Sequence, residues 1–167
     1  MKRVQKQHQE VENSKHQQAI VIVAENIRTP ENVGMIMRVA EAFGVERLFF
    51  TGTLGVGLTT KVKRASRNTY QKIPFFFEED SRGIMNELQE AGYKALALEI
   101  TKNSRAIQTF NFRKEDKIAI VIGSERNGIS EALLSIIPES VHIPLYGQNS
   151  SINVVTALAI ALQEIVR

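Results

Sequence analysis

An amide, a guanidinium, a carboxylate and a Ser/Asn pair are spread over three short polar segments, each where an apolar run gives way to a helical pattern. The first reads Asn32-Val33-Gly34-Met35-Ile36-Met37-Arg38, and the second Gly123-Ser124-Glu125-Arg126-Asn127-Gly128. The third is Ile143-Pro144-Leu145-Tyr146-Gly147, running on through Ser151-Ile152-Asn153. Polar groups of these kinds at strand-to-helix junctions read as an enzyme site, with glycines that let backbone approach a ligand closely. Each segment alone also has a plain structural reading. Gly123 to Gly128 fits an ordinary strand-to-helix turn, Ser151 fits a helix N-cap, and Arg38 fits a surface ion pair with Glu41 or Glu31. Asn153 is harder to explain away, because an amide in the first turn of a strongly apolar helix needs hydrogen-bond partners.

Other chemistries are excluded or weakly supported. The chain has no Cys, which removes disulfides, thiolate metal sites and Cys nucleophiles. Of three histidines, His8 and His16 fall in a polar N-terminal stretch and His142 is expected at a strand edge. Neither a Ser-His-Asp triad nor a metal site with clustered ligands can be assembled. The fragments Gly52-Thr53-Leu54-Gly55-Val56-Gly57 and Gly123 to Gly128 match neither the dinucleotide fingerprint nor the Walker spacing.

The elements that must hold these residues alternate between strand and helix. Residues 19–24 form a continuous apolar run rich in β-branched side chains, the mark of a buried parallel strand. Val33, Ile36, Met37, Ala40 and Phe43 then recur at helical spacing until Gly44 stops the helix, which puts Asn32 at or beside its N-terminus. Residues 47–51, 73–77, 94–99, 117–122 and 141–143 read as further strands. Asp80 or Ser81 caps a helix running to Ala91, Ser130 caps a short helix through Ile136, and residues 152–166 form a strongly apolar helix that must be buried. The result is an α/β domain with a mostly parallel sheet flanked by helices. With 167 residues and 43% hydrophobic content, one domain over 19–167 is expected, preceded by a polar, Gln-rich arm at 1–18 that is expected to be flexible. No apolar run approaches membrane-spanning length and the N-terminus lacks an apolar leader core, so a soluble, cytoplasmic protein is expected.

The net charge of +3 gives mild support for a polyanionic partner. Its distribution says more. Residues 61–72 carry five positive charges and no acid, among them Lys61, Lys63, Arg64 and Arg67, with Tyr70 interleaved. Residues 102–114 carry four more without an acid. Both are candidate phosphate contacts, and Tyr70 either stacks on an unpaired base or packs in the core.

In order and separation, the three segments together resemble the motifs of the SPOUT RNA methyltransferases, in the SpoU/TrmH branch that methylates ribose 2′-hydroxyls of tRNA or rRNA. The resemblance runs from about Ala19 onward. Asn32 and Arg38 fall on the first motif's Asn and Arg, Glu125 on the second motif's Glu, and Ser151 and Asn153 on the third motif's Ser and Asn. It implies a C-terminal trefoil knot, a homodimer, and S-adenosyl-L-methionine as cofactor. The cofactor would be cradled mainly by backbone near Thr101, Gly123, Ser124, Ile143, Leu145, Ser151 and Ile152. Arg38 would be the central catalytic group and touch RNA, with Asn32 and Glu125 holding it and Ser151 and Asn153 ordering the knot loop. A guanidinium with a pKa above about 12 is a poor base. Arg38 therefore either loses a proton transiently with help from an RNA phosphate or stabilises the developing alkoxide electrostatically, the second being physically favoured. At 167 residues the chain is expected to have no room for the separate RNA-binding domain of many ribosomal-RNA members, so that the arm and this domain are expected to contact RNA. The competing readings are a non-catalytic RNA-binding or assembly protein that keeps the fold, and a methyltransferase acting on a base or a small molecule.

Overall fold

The computed structural model describes residues 10–52 and 55–167. The first nine residues of the N-terminal arm, with His8, and the loop residues Thr53 and Leu54 lie outside the described residues. Among those described, seven strands form one sheet: β1 (Ala19–Glu25), β2 (Arg47–Thr51), β3 (Phe75–Glu78), β4 (Lys94–Leu98), β5 (Arg105–Ala106), β6 (Lys117–Ile122) and β7 (Glu139–His142). Their order is β3-β2-β1-β6-β4-β7-β5, and every pairing is parallel. A parallel sheet covered on both faces needs strands that are apolar on both sides. β1 meets that requirement with Ile20, Val21, Ile22 and Val23 all fully buried, paired in register with Ile118 to Val121 of β6.

Helices α1 (Pro30–Ala42) and α5 (Val154–Val166) cover one face, and α3 (Ser81–Glu90) with α4 (Glu131–Leu134) cover the other. On the first face Ile36 and Met37 of α1 and Leu158 and Leu162 of α5 pack over Ile20, Ile22 and Ile120. On the second, Met85, Leu88 and Leu133 pack over Val21, Val23 and Val121. The apolar character of α5 is thus explained by burial against the sheet, and α1 starts with Pro at its first turn and ends ahead of Gly44, whose φ is +62°.

Several details differ from the sequence reading. The basic segment contains a helix, α2 (Thr60–Ser66), capped by Thr59, whose hydroxyl accepts the Val62 N–H at 3.3 Å. It packs on α1 at Gly34, where a Cβ would lie 2.6 Å from Ala65 Cβ and 2.7 Å from Ser66 N. The cap of α5 is Asn153 rather than Ser151: its Oδ1 accepts the N–H groups of Val155 (2.8 Å) and Thr156 (3.3 Å). His142 ends an interior strand, β7, with the two-residue β5 outside it. Two residues of the expected arm lie against the domain, His16 Nε2 at 2.7 Å from Phe43 O and Gln18 Nε2 donating to Ile165 O at 3.0 Å.

Candidate active site

Because all strands run the same way, the residues following β1, β4, β6 and β7 emerge at one edge, which is where open α/β sheets bind ligands. A cavity of about 340 Å³ lies there. Its walls come from Leu98 at the end of β4 with Glu99 and Ile100 after it, from Gly123, Ser124 and Glu125 after β6, from Ile143 and Leu145 after β7, and from Ser151, Ile152 and Asn153 before α5. Six of the seven residues assigned to the cofactor from sequence therefore share this wall. Thr101 does not line it; it sits one residue beyond Ile100, its N–H donating to Ser104 Oγ at 3.1 Å. Ser104 Oγ is also 3.0 Å from Nδ1 of His142, a further cavity residue.

The second motif folds back on itself. Ser124 and Gly128 exchange backbone hydrogen bonds of 3.0 Å, and a Cβ on Gly123 would lie 2.0 Å from the carbonyl carbon of Gly128 and 2.1 Å from Ile129 N. Only glycine allows that closure. Beneath the loop, buried Glu25 at the end of β1 accepts the N–H (2.8 Å) and the hydroxyl (2.9 Å) of Ser130, fixing the start of α4.

The three motifs meet at the mouth of the cavity. Glu125 accepts from Asn32 Nδ2 at 2.7 Å, from the N–H groups of Thr29 (3.3 Å) and Arg28 (3.4 Å), and from the Thr29 hydroxyl. Asn32 Oδ1 in turn accepts from Asn153 Nδ2 at 3.2 Å. Asn153 thus uses its oxygen to start α5 and its nitrogen to reach α1. Desolvation disfavours the charge on Glu125, but the hydrogen bonds from Thr29, Asn32 and the backbone outweigh it and hold its pKa down at about 2. A carboxylate so placed is a fixed anion and a poor proton acceptor.

Arg38 lies on the same helix but outside this network. Among the described residues no hydrogen bond joins it to Asn32 or Glu125, so the expected grip on its guanidinium is not made within one chain; Nη1 rests 3.4 Å from Met35 Sδ. Nor, among the described residues, does it form the expected surface ion pair with Glu41 or Glu31, and Glu41 faces Lys72 Nζ at 3.9 Å. Ser151 stands in the cavity wall and is exposed. Lys61, Lys63, Arg64 and Arg67 are all exposed on or just after α2. Tyr70 is half-buried against the core with Lys63 Nζ 5.8 Å from its ring centre, so it packs while keeping one side near the cations.

Sequence reasoning missed Thr29 and Glu99. Thr29 precedes Pro30 at a helix start, which is an N-cap signature, although its hydroxyl serves Glu125 rather than the helix. Glu99 is an acid directly after an apolar strand, and it accepts the N–H groups of Ile100 and Ile129. In chemical terms the cavity combines apolar side chains, among them Leu98, Ile122 and Ile143, with glycine-rich backbone. That set suits a flat heterocycle held by main-chain hydrogen bonds. No group of three or more potential metal ligands occurs among the described residues.

A sequence profile of the SpoU rRNA Methylase family matches residues 19–163. The chain is 29% identical over 147 residues to a putative TrmH family tRNA/rRNA methyltransferase of Staphylococcus haemolyticus, with 88% of this chain and 58% of the relative aligned. It therefore spans about three fifths of the length of that relative. Among solved structures, an AdoMet-bound rRNA methyltransferase from Sinorhizobium meliloti superposes with a TM-score of 0.81 at 23% identity, covering 90% of this chain and 57% of the other. A structure described in terms of 2-OH methylation of C/U34 on tRNA superposes with a TM-score of 0.76 at 25% identity, covering 90% of this chain and 94% of the other.

Proposed function

The chain belongs to the SpoU rRNA Methylase family, and on that premise we propose that it is an S-adenosylmethionine-dependent RNA methyltransferase acting on a ribose 2′-hydroxyl of tRNA or rRNA. The observation that carries the reading is the junction at the cavity mouth, where Glu125, Asn32 and Asn153 from three distant motifs are joined by direct hydrogen bonds. A chain that had kept the fold for binding alone has no need of that continuous polar link. The strand order, with β7 between β4 and β5, accords with the family's C-terminal knot.

When bound, the cofactor supplies an electrophilic methyl on a sulfonium. The apolar wall and the Gly123 loop would hold that group and exclude water, and the remaining task of the site is to align the attacking oxygen. Glu125, kept ionised, and the two amides fix the first turn of α1. That turn sets the direction of the helix on which Arg38 lies. The guanidinium then positions an RNA phosphate and stabilises charge growing on the 2′-oxygen, whose proton passes to that phosphate or to solvent. The chain acts as a homodimer in this reading, with Arg38 serving a site shared between subunits, which accounts for its lack of a partner from the site within one chain. Lys61, Lys63, Arg64 and Arg67 would flank the target nucleotide, since α2 is seated on the helix carrying Arg38.

Incubation with labelled S-adenosylmethionine and tRNA or rRNA, followed by nucleoside analysis, should give a 2′-O-methylated nucleoside. A methylated base would overturn the ribose assignment, and cofactor binding without transfer to any RNA would favour a non-catalytic RNA-binding role. Arg38→Ala should abolish transfer and leave cofactor affinity within a few-fold. Light scattering that found a fully active monomer would refute the shared site.

A further inference from the structure

Glu99 has a role beyond shaping its own loop, and the inference rests on reading the cavity as an S-adenosylmethionine site. It is the first residue after β4, half-buried, and part of the cavity wall. Its carboxylate is immobilised by two backbone donors, Oε1 accepting from Ile100 N at 2.9 Å and Oε2 from Ile129 N at 3.1 Å. These donors belong to different loops, one after β4 and one closing the second motif. Gly128, at φ +65°, lies so near that a Cβ there would be 2.2 Å from Oε2. The missing side chain is what lets the carboxylate lie against the loop.

Each carboxylate oxygen has two acceptor sites, and the backbone takes one on each. Two adjacent acceptors therefore remain, and an ionised carboxylate meets only donors. The other carboxylate of the cavity, Glu125, already serves Thr29 and Asn32. A pair of neighbouring acceptors matches a pair of donors on adjacent carbons, which the cofactor offers in its vicinal ribose hydroxyls; its ammonium is a single centre. The purine finds its surface on the apolar side, at Leu98, Ile122, Ile143 and Leu145. An acid at the carboxyl end of a parallel strand receives ribose hydroxyls in dinucleotide-binding α/β proteins by the same logic. We infer that Glu99 accepts hydrogen bonds from both ribose hydroxyls of the cofactor and so selects for an intact ribose.

The test is calorimetric titration of S-adenosylhomocysteine and its 2′-deoxy, 3′-deoxy and des-amino analogues into the wild-type protein and Glu99→Gln. Wild type should lose about 10- to 100-fold in affinity for each hydroxyl removed, the range of a hydrogen bond to a charged group. Glu99→Gln should already be weakened for the parent ligand and lose less than about threefold more on removing a hydroxyl, a non-additivity that marks direct contact. A residue that only braced the loops would give the same deoxy penalty in both proteins, and that result overturns the inference. So does non-additivity with the des-amino ligand in place of the deoxy ligands. If Glu99→Gln does not fold, wild type alone decides: deoxy ligands bound within twofold of the parent refute the contact. Absence of parent-ligand binding to wild type would instead bring down the functional reading itself.

Discussion

Asn153 is asked to do two things with the two ends of one amide, and two substitutions pull them apart. Asn153→Ala removes the acceptor for the N–H groups of Val155 and Thr156 as well as the donor to Asn32. Loss of an N-cap costs about 1 kcal/mol. For a domain of this size that lowers Tm by about 2–4 °C. Asn153→Asp keeps an acceptor at the same place and adds a negative charge at the helix start, worth about 0.3–1 kcal/mol in its favour. Asn32 links that charge to the Glu125 anion, whose repulsion offsets part of the gain. Its Tm should therefore stay within about 2 °C of wild type. Both variants lose the donor to Asn32. Removing about 1–1.5 kcal/mol of orienting interaction lowers turnover by roughly tenfold in each. Thermal melts and methyl-transfer rates measured side by side check this. Wild-type turnover in Asn153→Asp would refute the amide bridge, and an unchanged Tm in Asn153→Ala would refute the cap.

Glu125 titrates near 2 in the folded chain against an ordinary 4.5, so its stabilising contribution is complete above about pH 4.5 and fades as the pH falls toward 2. Glu125→Gln should flatten the acid limb of the stability curve in that window, and parallel curves below pH 4.5 would contradict the assigned network. Gly123→Ala should abolish S-adenosylhomocysteine binding, because the new carbon collides with the backbone of Gly128 and Ile129; near-native affinity by calorimetry would mean the loop has room that its geometry denies. Replacing Lys63, Arg64 and Arg67 together with Ala should weaken RNA binding and lower the magnitude of the slope of log affinity against log salt by about 2–3, with cofactor affinity and Tm unchanged. An unaltered slope would shift the RNA surface to the basic residues of 102–114.

Most of this framework can be read from the chain itself, for identifiable reasons. β1 and β6 are apolar on both faces, and α1 and α5 carry long periodic stripes, so burial dictates their type. α2 escapes because a seven-residue helix with only Val62 and Ser66 buried has too little periodicity to detect. β5 escapes because two residues carry no pattern at all. The polar motif residues could be identified, but their mutual bonds could not: nothing local says that Asn153 caps α5 in place of Ser151, or that Thr29 gives its hydroxyl to a carboxylate 96 residues away. Glu99 looked like the end of a strand. Its meaning depends on Ile129, which the chain supplies only after β6 has entered between β4 and β1.

That same arrangement governs when the protein becomes competent. The cavity takes its walls from loops after β4, β6 and β7 and from the residues that lead into α5, so no early fragment of the chain contains it. Contacts between residues so far apart in sequence make folding slow, since loop closure must precede the contacts that reward it. On the ribosome, β1, α1 and β2 can emerge and pair while the cavity does not yet exist, because Asn153 follows every strand of the sheet in the chain. A nascent chain therefore has no cavity, and no place for the proposed cofactor, until the residues that lead into α5 have emerged.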